Sequence, residues 1–334
     1  MSVRTKGAPV RRLLTTTLAL SALVLVPSAF AQTHIPLTIS GNEARGHFEL
    51  PGSVAGDLSI TFEEVVGLTE DALEVSARLV NPTDSAILSR LPGPGVSVPE
   101  AFPVMIRIEP TASSALTFAG VVSVSLHTHN LVLVANSPLA LYSGPADGPL
   151  HDITRFVGVG SYRAGGSGGG FSEFMIVADT RPLDVVIAEK FEVLESSLSQ
   201  DLALRSEELA SRGADSLAGA LALRRFDSVA EVQRRFQQAR NLYVAGATVS
   251  SIAEVVSLMD YVKSVSGDAI PDVYRANDDA IDRVNIAGRR RAAADTLRFS
   301  LVKAALPGSP PAPEPTPTPA PEPTPTPTPA PPPP

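Results

Sequence analysis

The sequence predicts a segregated α+β fold, in which an N-terminal antiparallel β-sandwich precedes a C-terminal helical bundle and a disordered proline-rich tail. Apolar residues alternate with a period of two over residues 32–180, which is typical of half-buried strands. Over residues 181–306 they recur every three or four positions, as on amphipathic helices. Residues 307–334 hold 16 of the chain's 31 prolines, a composition that permits neither helix nor sheet.

Residues 1–31 are typical of an export signal. Basic residues precede an apolar run from Leu13 to Val26, and Ala29-Phe30-Ala31 supplies the small-x-small pattern for cleavage between Ala31 and Gln32. The run is shorter than the roughly 20 residues that a membrane-spanning helix needs, so we interpret it as a signal and not as an anchor. The sequence therefore predicts a protein exported to the periplasm or the extracellular space and not transmembrane after cleavage.

Composition excludes several kinds of chemistry and partner. The chain has no cysteine, so it forms no disulfide and uses no thiolate. Residues 32–180 carry 15 acidic and 6 basic side chains, whereas residues 181–306 are nearly balanced with 18 and 17. Nucleic-acid-binding proteins usually present a basic surface, so we expect no nucleic-acid partner.

Short alternating runs separated by turn residues predict the strands. In "DLSITFEEVV", Leu58, Ile60 and Phe62 share one face, and dense Pro and Gly signals such as 92–95 separate such runs. The run "FSEFMIVA" is apolar on both faces and is predicted to be a central strand. One short helix is expected at Asp84 to Arg90.

Four or five helices are predicted after the strands, packed as an antiparallel bundle with the first and last the longest. The first begins near Pro182, a residue that suits a first helical turn. The later predicted stretches are Leu217 to Phe226, Val229 to Ala245, Val249 to Val265 and Val273 to Leu301. Residues 307–334 are expected to form an extended polyproline segment that serves as a spacer, a docking ligand or a carrier of sugars on threonine.

His127-x-His129 is the main candidate for metal chemistry. Alternation places both histidines on the more polar face of a predicted strand, as a chelating pair requires. A structural zinc needs about four ligands and a catalytic zinc about three plus water, and the other histidines (His34, His47, His151) are scattered in the sequence. We favour exposed or hydrogen-bonded strand histidines, with a metal site as the alternative.

Gly165-Gly166-Ser167-Gly168-Gly169 matches the G-x-S-x-G pattern of hydrolase nucleophile elbows. That motif requires a strand-to-helix turn at the serine and a catalytic histidine later in the chain. Here a predicted strand follows, and no histidine occurs after His151. We therefore expect a flexible glycine connection and assign no catalytic residue.

Clusters of charged residues have simpler explanations than catalysis. Glu63 and Glu64 are adjacent on a strand and face opposite ways, so they cannot act on one bond together. We interpret Asp278-Asp279 and Arg289-Arg290-Arg291 as solvated helix faces. The alternative for the arginines is contact with an acidic partner such as the chain's own β-region.

Three segments of the β-region carry a resemblance to a known kind of module. "SPLALY", Asp152-Ile153-Thr154 and "GGFSEFMIVAD" resemble the closing strands of secreted bacterial immunoglobulin-like sandwiches, although His151 stands where tryptophan often precedes the aspartate. The whole chain looks like a member of an uncharacterised family of exported bacterial proteins. The resemblance implies an Ig-like β-sandwich scaffold and no activity, so no site residue is carried over.

These observations predict an exported non-enzymatic protein, a structural or protein-interaction module of the cell envelope. Its expected partner is an unidentified protein or envelope component, and no cofactor is expected. A carbohydrate- or small-ligand-binding module is the first alternative, weakened by the absence of tryptophan. A metal-dependent enzyme using His127 and His129 is the second.

Overall fold

The computed structural model describes residues 32–111, 113–133, 137–158, 160–168, 170–212, 216–276 and 285–306. The predicted export signal, including Ala31, and the proline-rich segment 307–334 lie outside these ranges, as do Asp278 and Asp279.

Two antiparallel β-sheets make up the N-terminal part of the described chain. The strands are β1 (Thr33–His34), β2 (Leu37–Ser40), β3 (Glu43–Leu50), β4 (Val54–Val66), β5 (Leu73–Leu79), β6 (Val96–Ser97), β7 (Val104–Pro110), β8 (Thr117–Leu133), β9 (Leu139–Gly144), β10 (His151–Asp152), β11 (Thr154–Gly158), β12 (Gly160–Gly168), β13 (Glu173–Asp179) and β14 (Val273–Arg275). The first sheet has the order β1-β5-β7-β13-β9-β10, with β6 paired to β13. The second has the order β11-β12-β8-β4-β3-β2, with β14 paired to β8.

The inner faces of the two sheets share one hydrophobic core. Leu58, Ile60 and Phe62 of β4 are buried there, as their alternation predicts. The predicted central strand is confirmed, because β13 lies between β7 and β9. Its second apolar face, with Met175 and Val177, packs in a separate cluster on the other side of the first sheet.

The predicted short helix in this region is also present. It is α1 (Ser85–Leu88), and Asp84 caps it by accepting a hydrogen bond from the Ala86 N–H. Ile87 of α1 is buried in the same cluster as Met175, so the helix covers the apolar outer face of β13.

Four long helices follow the last strand of the first sheet. They are α2 (Leu183–Arg212), α3 (Leu217–Val244), α4 (Thr248–Val265) and α5 (Ile286–Ala305). Their apolar stripes meet in a second large core that includes Phe191, Phe236 and Leu297. None of the described helices combines the length and apolar character that crossing a membrane requires.

Three predictions about the helices are wrong. The expected break between Phe226 and Val229 is absent, since α3 is continuous from Leu217 to Val244. Ser216 caps its start by accepting from the Gly219 N–H. The first helix, α2, is the longest with 30 residues, as predicted, but the second longest is α3 with 28 residues and not the last helix, α5, with 20.

The third wrong prediction is the start of the last helix. Residues 273–275 form β14 and pair with β8, and the ring of Tyr274 stacks on Phe118 at 4.7 Å between centroids. The helix begins only at Ile286, where the Asn285 side chain accepts from the Gly288 N–H.

Helix α5 packs against the outer face of the second sheet, on β8, β11 and β12. Gly288 lies against the backbone of β8, and a Cβ atom there would stand 2.1 Å from the Gly120 carbonyl oxygen. The Asn285 side-chain amide donates to that same carbonyl. Glycine is therefore required at position 288, because any side chain would push the helix off the sheet.

Glu63 is the main charged contact between the sheet and the helices. It lies where the β4–β8 register shifts, and its carboxylate accepts from Arg291 at 2.7 and 3.1 Å, from Lys263 at 3.1 Å and from the Val121 N–H at 3.1 Å. Burial alone would raise the pKa of Glu63. These hydrogen bonds outweigh it and lower that pKa from 4.5 to about 2.

The solvated face predicted for Arg289-Arg290-Arg291 is therefore wrong for two of the three residues. Arg291 contacts the β-region through Glu63, and Arg290 is 2% exposed and pairs with Asp201 of α2. Arg289 alone of the three is exposed. Three consecutive arginines of one helix turn therefore contact the sheet, a neighbouring helix and solvent, because consecutive side chains on a helix point about 100° apart.

Replacing Glu63 with Gln is expected to lower the free energy of unfolding at neutral pH by about 1–2 kcal/mol, because the amide loses its charge-assisted bonds. The folded-state pKa is depressed, so this stabilisation is present above about pH 4.5 and is lost as the pH falls towards 2. Urea unfolding from neutral to acidic pH measures the effect, with Glu64→Gln as the neighbouring control. Equal losses in the two variants would contradict the assignment.

Candidate functional site

A cleft of about 480 Å³ opens where the edges of both sheets meet helices α2 and α5. Its lining comes from the end of β9, from β10, from the end of β12 with the segment before β13, and from one side of each helix. No single element forms the cleft, so it exists only because the helices pack across the sheet edges.

The walls of the cleft are mainly apolar. Phe171 and Phe174 line it from the sheets, and Val193, Ala292 and Ala293 line it from the helices. A concave, mostly apolar surface with a few polar groups is typical of sites that bind small molecules.

A buried ion pair forms one side of the cleft. Lys190 of α2 is 7% exposed, and its Nζ lies 2.9 Å from Asp152 of β10. The ammonium also donates to Ser300 Oγ at 2.9 Å and to the Thr296 carbonyl at 3.2 Å, so all three of its donors are used. Lys190 therefore joins α2 to the first sheet and to α5.

Sequence reasoning missed Lys190, although a signal for it was present. Ile187, Phe191 and Leu194 lie on the buried face of α2, and position 190 falls on that same face. A lysine within an apolar helical stripe is rarely buried without a partner. That spacing identifies the lysine as a candidate, but only the tertiary structure identifies Asp152 as its counter-charge.

Two buried polar atoms in the cleft have no hydrogen-bond partner among the described residues. They are Ser167 Oγ and His151 Nδ1. Ser167 is 2% exposed, and the nearby Glu189 Oε1 lies 3.6 Å from His151 Nδ1, beyond hydrogen-bond distance. A buried polar atom without a partner costs about 1–3 kcal/mol, so both atoms mark places where an external group would be stabilising.

The start of α2 is held beside the cleft by a buried polar network. Arg181 contacts Asp179 at 2.8 Å and Glu189 at 2.7 Å, and donates to the hydroxyl of Tyr142 at 2.9 Å. Burial raises the pKa of Glu189, but His151 and Arg181 outweigh it, so the pKa lies below its usual value. Burial also raises the pKa of Tyr142, so the phenol stays protonated and donates to Asp179.

Ser167 does not lie on a nucleophile elbow. It belongs to strand β12, and the next element along the chain is strand β13, not a helix. Its Oγ makes no hydrogen bond to His151, although both residues line the cleft. The arrangement therefore lacks the nucleophile–base contact that activates a serine.

The glycines before Ser167 are not the flexible connection that their sequence predicts. Gly165 and Gly166 are paired strand residues of β12. A Cβ atom at Gly165 would lie 2.1 Å from the ring of Phe156, and one at Gly166 would lie 2.5 Å from Ile153. These glycines leave space for bulky side chains of the neighbouring strand. Gly169 lies outside the described residues.

His127 and His129 lie on the outer face of the second sheet, away from its core, as their alternation predicts. The His127 Nδ1 atom is 3.1 Å from Asp57, and the His129 ring is exposed with its centre 4.8 Å from that of His127. The described residues include no group of three or more His, Cys, Asp or Glu side chains placed to hold a metal ion.

His47 is linked to this pair in the structure, although it is distant from it in the sequence. It lies opposite Asp57 in the β3–β4 register, and its Nδ1 is 2.8 Å from that carboxylate. Asp57 therefore bridges His47 and His127, a contact that sequence spacing does not reveal.

The fold and this cleft define an α+β protein in which two antiparallel sheets and a set of helices enclose a small-molecule-sized cleft. The chain belongs to the family of unknown function DUF6689, whose profile matches residues 19–305. No curated protein and no solved structure matches the chain.

Replacing Lys190 with Met is expected to destabilise the protein by about 3–5 kcal/mol, because Asp152 is then left as a buried, unpaired carboxylate. The double variant Lys190→Met with Asp152→Asn should recover a substantial part of this loss. Urea denaturation measures both, and Glu192→Met on the exposed side of α2 is the control, expected to change stability by less than about 0.5 kcal/mol. Equal destabilisation in the single and double variants would refute the pairing.

The hydrogen bond to Asp57 raises the pKa of His47 above its ordinary value of 6.5. The stabilisation from this contact is therefore complete below pH 6.5 and is lost as the pH rises through the folded-state pKa. We expect Asp57→Asn to lower the His47 pKa, followed by NMR, with Glu49 at 3.5 Å left as its acidic neighbour. Asp71→Asn is the control, and an unchanged His47 titration in Asp57→Asn would show that the contact is not formed.

Proposed function

We propose that this protein is an exported, non-enzymatic binding protein. In this proposal, a small and largely apolar ligand occupies the cleft between an Ig-like β-sandwich and a helical bundle. The observation that carries it is the pair of buried atoms without hydrogen-bond partners, Ser167 Oγ and His151 Nδ1, in an apolar cleft of about 480 Å³.

The size and chemistry of the cleft support this proposal. Small-molecule sites commonly span about 300–1,000 Å³, and their walls combine apolar surface with a few oriented polar groups. Here Phe171, Phe174 and the alanines of α5 supply the apolar surface, and Ser167 and His151 supply polar atoms that make no hydrogen bond in the described chain. A bound ligand would gain from burial and from satisfying those two atoms.

Export is supported by the pattern of residues 1–31, a basic start followed by an apolar run and small-x-small before Gln32. We place the mature protein in the periplasm or outside the cell on that basis.

A structural or protein-interaction role in the envelope is the second candidate function. It is favoured by exposed leucines on α2 and α3, on either side of the segment that joins them. Leu217 is 80% exposed, and Leu204 and Leu221 are also exposed. Large exposed apolar side chains can mark a contact with another protein. A metal-dependent enzyme is less well supported, because His127 is engaged by Asp57 and His129 lies in solvent.

The binding proposal is tested with N-phenyl-1-naphthylamine, a neutral dye that fluoresces in apolar sites. We expect saturable binding to the wild-type protein and at least a tenfold loss in Val193→Trp, because the indole fills the mouth of the cleft. Val185→Trp is the matched control, since Val185 is exposed on the same helix to a similar degree, 44% against 37% for Val193, but does not line the cleft.

Absence of saturable binding, or equal losses in the two tryptophan variants, would refute the proposal. Its non-enzymatic part is tested separately with p-nitrophenyl butyrate. Ester hydrolysis that Ser167→Ala abolishes would show that the cleft is catalytic.

A further inference from the structure

We infer that the ligand of this cleft is an organic anion with an apolar body, and that Arg289 binds its charged group at the mouth. This inference rests on the proposed function and adds the chemical class of the ligand.

The balance of charges in the cleft is the first argument. Two carboxylates line it, and each has a cationic partner: Asp152 pairs with Lys190, and Glu189 pairs with Arg181. Arg289 also lines the cleft, and within the described ranges its guanidinium has neither a hydrogen bond nor an ion pair, while its backbone N–H donates to the Asn285 carbonyl. The described lining therefore contains one charged side chain whose head group has no partner, and that side chain is cationic.

The position of Arg289 is the second argument. Arg289 lies in the first turns of α5 and is exposed. Its guanidinium lies close to Gly170, because a Cβ atom built on Gly170 would be 3.5 Å from the Arg289 Nη2 atom. The guanidinium is thus at the entrance, next to the segment that contributes Phe171 to the wall. A planar guanidinium with parallel N–H groups suits a carboxylate, sulfonate or phosphate oxygen pair.

The depth of the polar groups sets the orientation of the ligand. An anion placed deep in the cleft would lose its hydration without gaining a free cation, because Lys190 is already neutralised by Asp152 and uses all its donors. At the mouth, the anion keeps partial contact with water and gains Arg289. The apolar body then lies inward, against Phe174 and Ala292, where Ser167 Oγ offers one polar contact.

The experiment compares two dyes that share one skeleton. N-phenyl-1-naphthylamine is neutral, and 8-anilino-1-naphthalenesulfonate is the same molecule with a sulfonate added. We expect the sulfonate dye to bind the wild-type protein about tenfold more tightly at low salt, in line with a charge-assisted hydrogen bond. The preference should fall as salt increases, because the contact is at the surface.

Arg289→Gln is expected to remove the preference for the sulfonate dye and to change the affinity for the neutral dye less than twofold. Arg163→Gln is the matched control, because Arg163 is exposed on β12, has no ion pair in the described ranges and lines no part of this cleft. It removes the same net charge and should keep the preference. Val193→Trp should weaken the binding of both dyes. That result would show that they bind in the cleft and not in the second cavity that Arg289 also lines.

The outcomes separate the two proposals. If the neutral dye does not bind the cleft, the proposed function fails. If the neutral dye binds but the sulfonate dye binds no more tightly, or Arg289→Gln keeps the preference, the binding function stands and the anion inference is overturned. Sulfonate binding that survives Val193→Trp also overturns it, because the dye is then held elsewhere.

Discussion

The packing of helix α5 on the outer face of the second sheet is the constraint on which the rest of the structure depends. One side of α5 carries Leu297 and Leu301 and packs in the helical core. Gly288 and Arg291 lie elsewhere on the helix surface and contact the sheet. The close approach at Gly288 sets the distance between helix and sheet. Helix α5 lies on the sheet at that distance and α2 meets β10 through the Lys190–Asp152 ion pair, and the cleft is formed between these elements.

Charged groups carry much of this contact between sheet and helices. Glu63 and Asp152 from the sheets meet Arg291 and Lys190 from the helices, and Arg155 of β11 lies 2.8 Å from Asp295 of α5. Buried and half-buried ion pairs contribute less net stability than apolar contacts of the same size. They nevertheless restrict how the helices can pack on the sheets, because a misplaced partner leaves an unpaired charge. The acidic excess of residues 32–180 thus has a structural use, since part of it binds basic side chains of the helices.

The cleft gathers residues that are far apart in the chain. His151 and Ser167 come from strands, Lys190 from the first long helix and Arg289 from the last. Sequence reasoning treated His151 as one of several scattered histidines and Ser167 as part of a flexible loop, because neither residue has a suggestive neighbour within a few positions. Its main candidate, His127-x-His129, was local and therefore visible, yet that pair lies on the outer face of the sheet and His127 is engaged by Asp57.

The sequence by itself determined the α+β composition, the central position of β13, the short helix between Asp84 and Arg90 and the outward direction of His127 and His129. These features depend on which side of a strand or helix is apolar, and that information is present in each short segment. The tertiary structure alone decided that residues 273–275 form a strand, that Asp57 bridges two histidines, that Lys190 pairs with Asp152, and that Arg291 binds the sheet while Arg289 faces the cleft. The physical reason is that each of these outcomes depends on a partner many residues away. Local periodicity shows that a face is buried or exposed, but it does not say what that face meets.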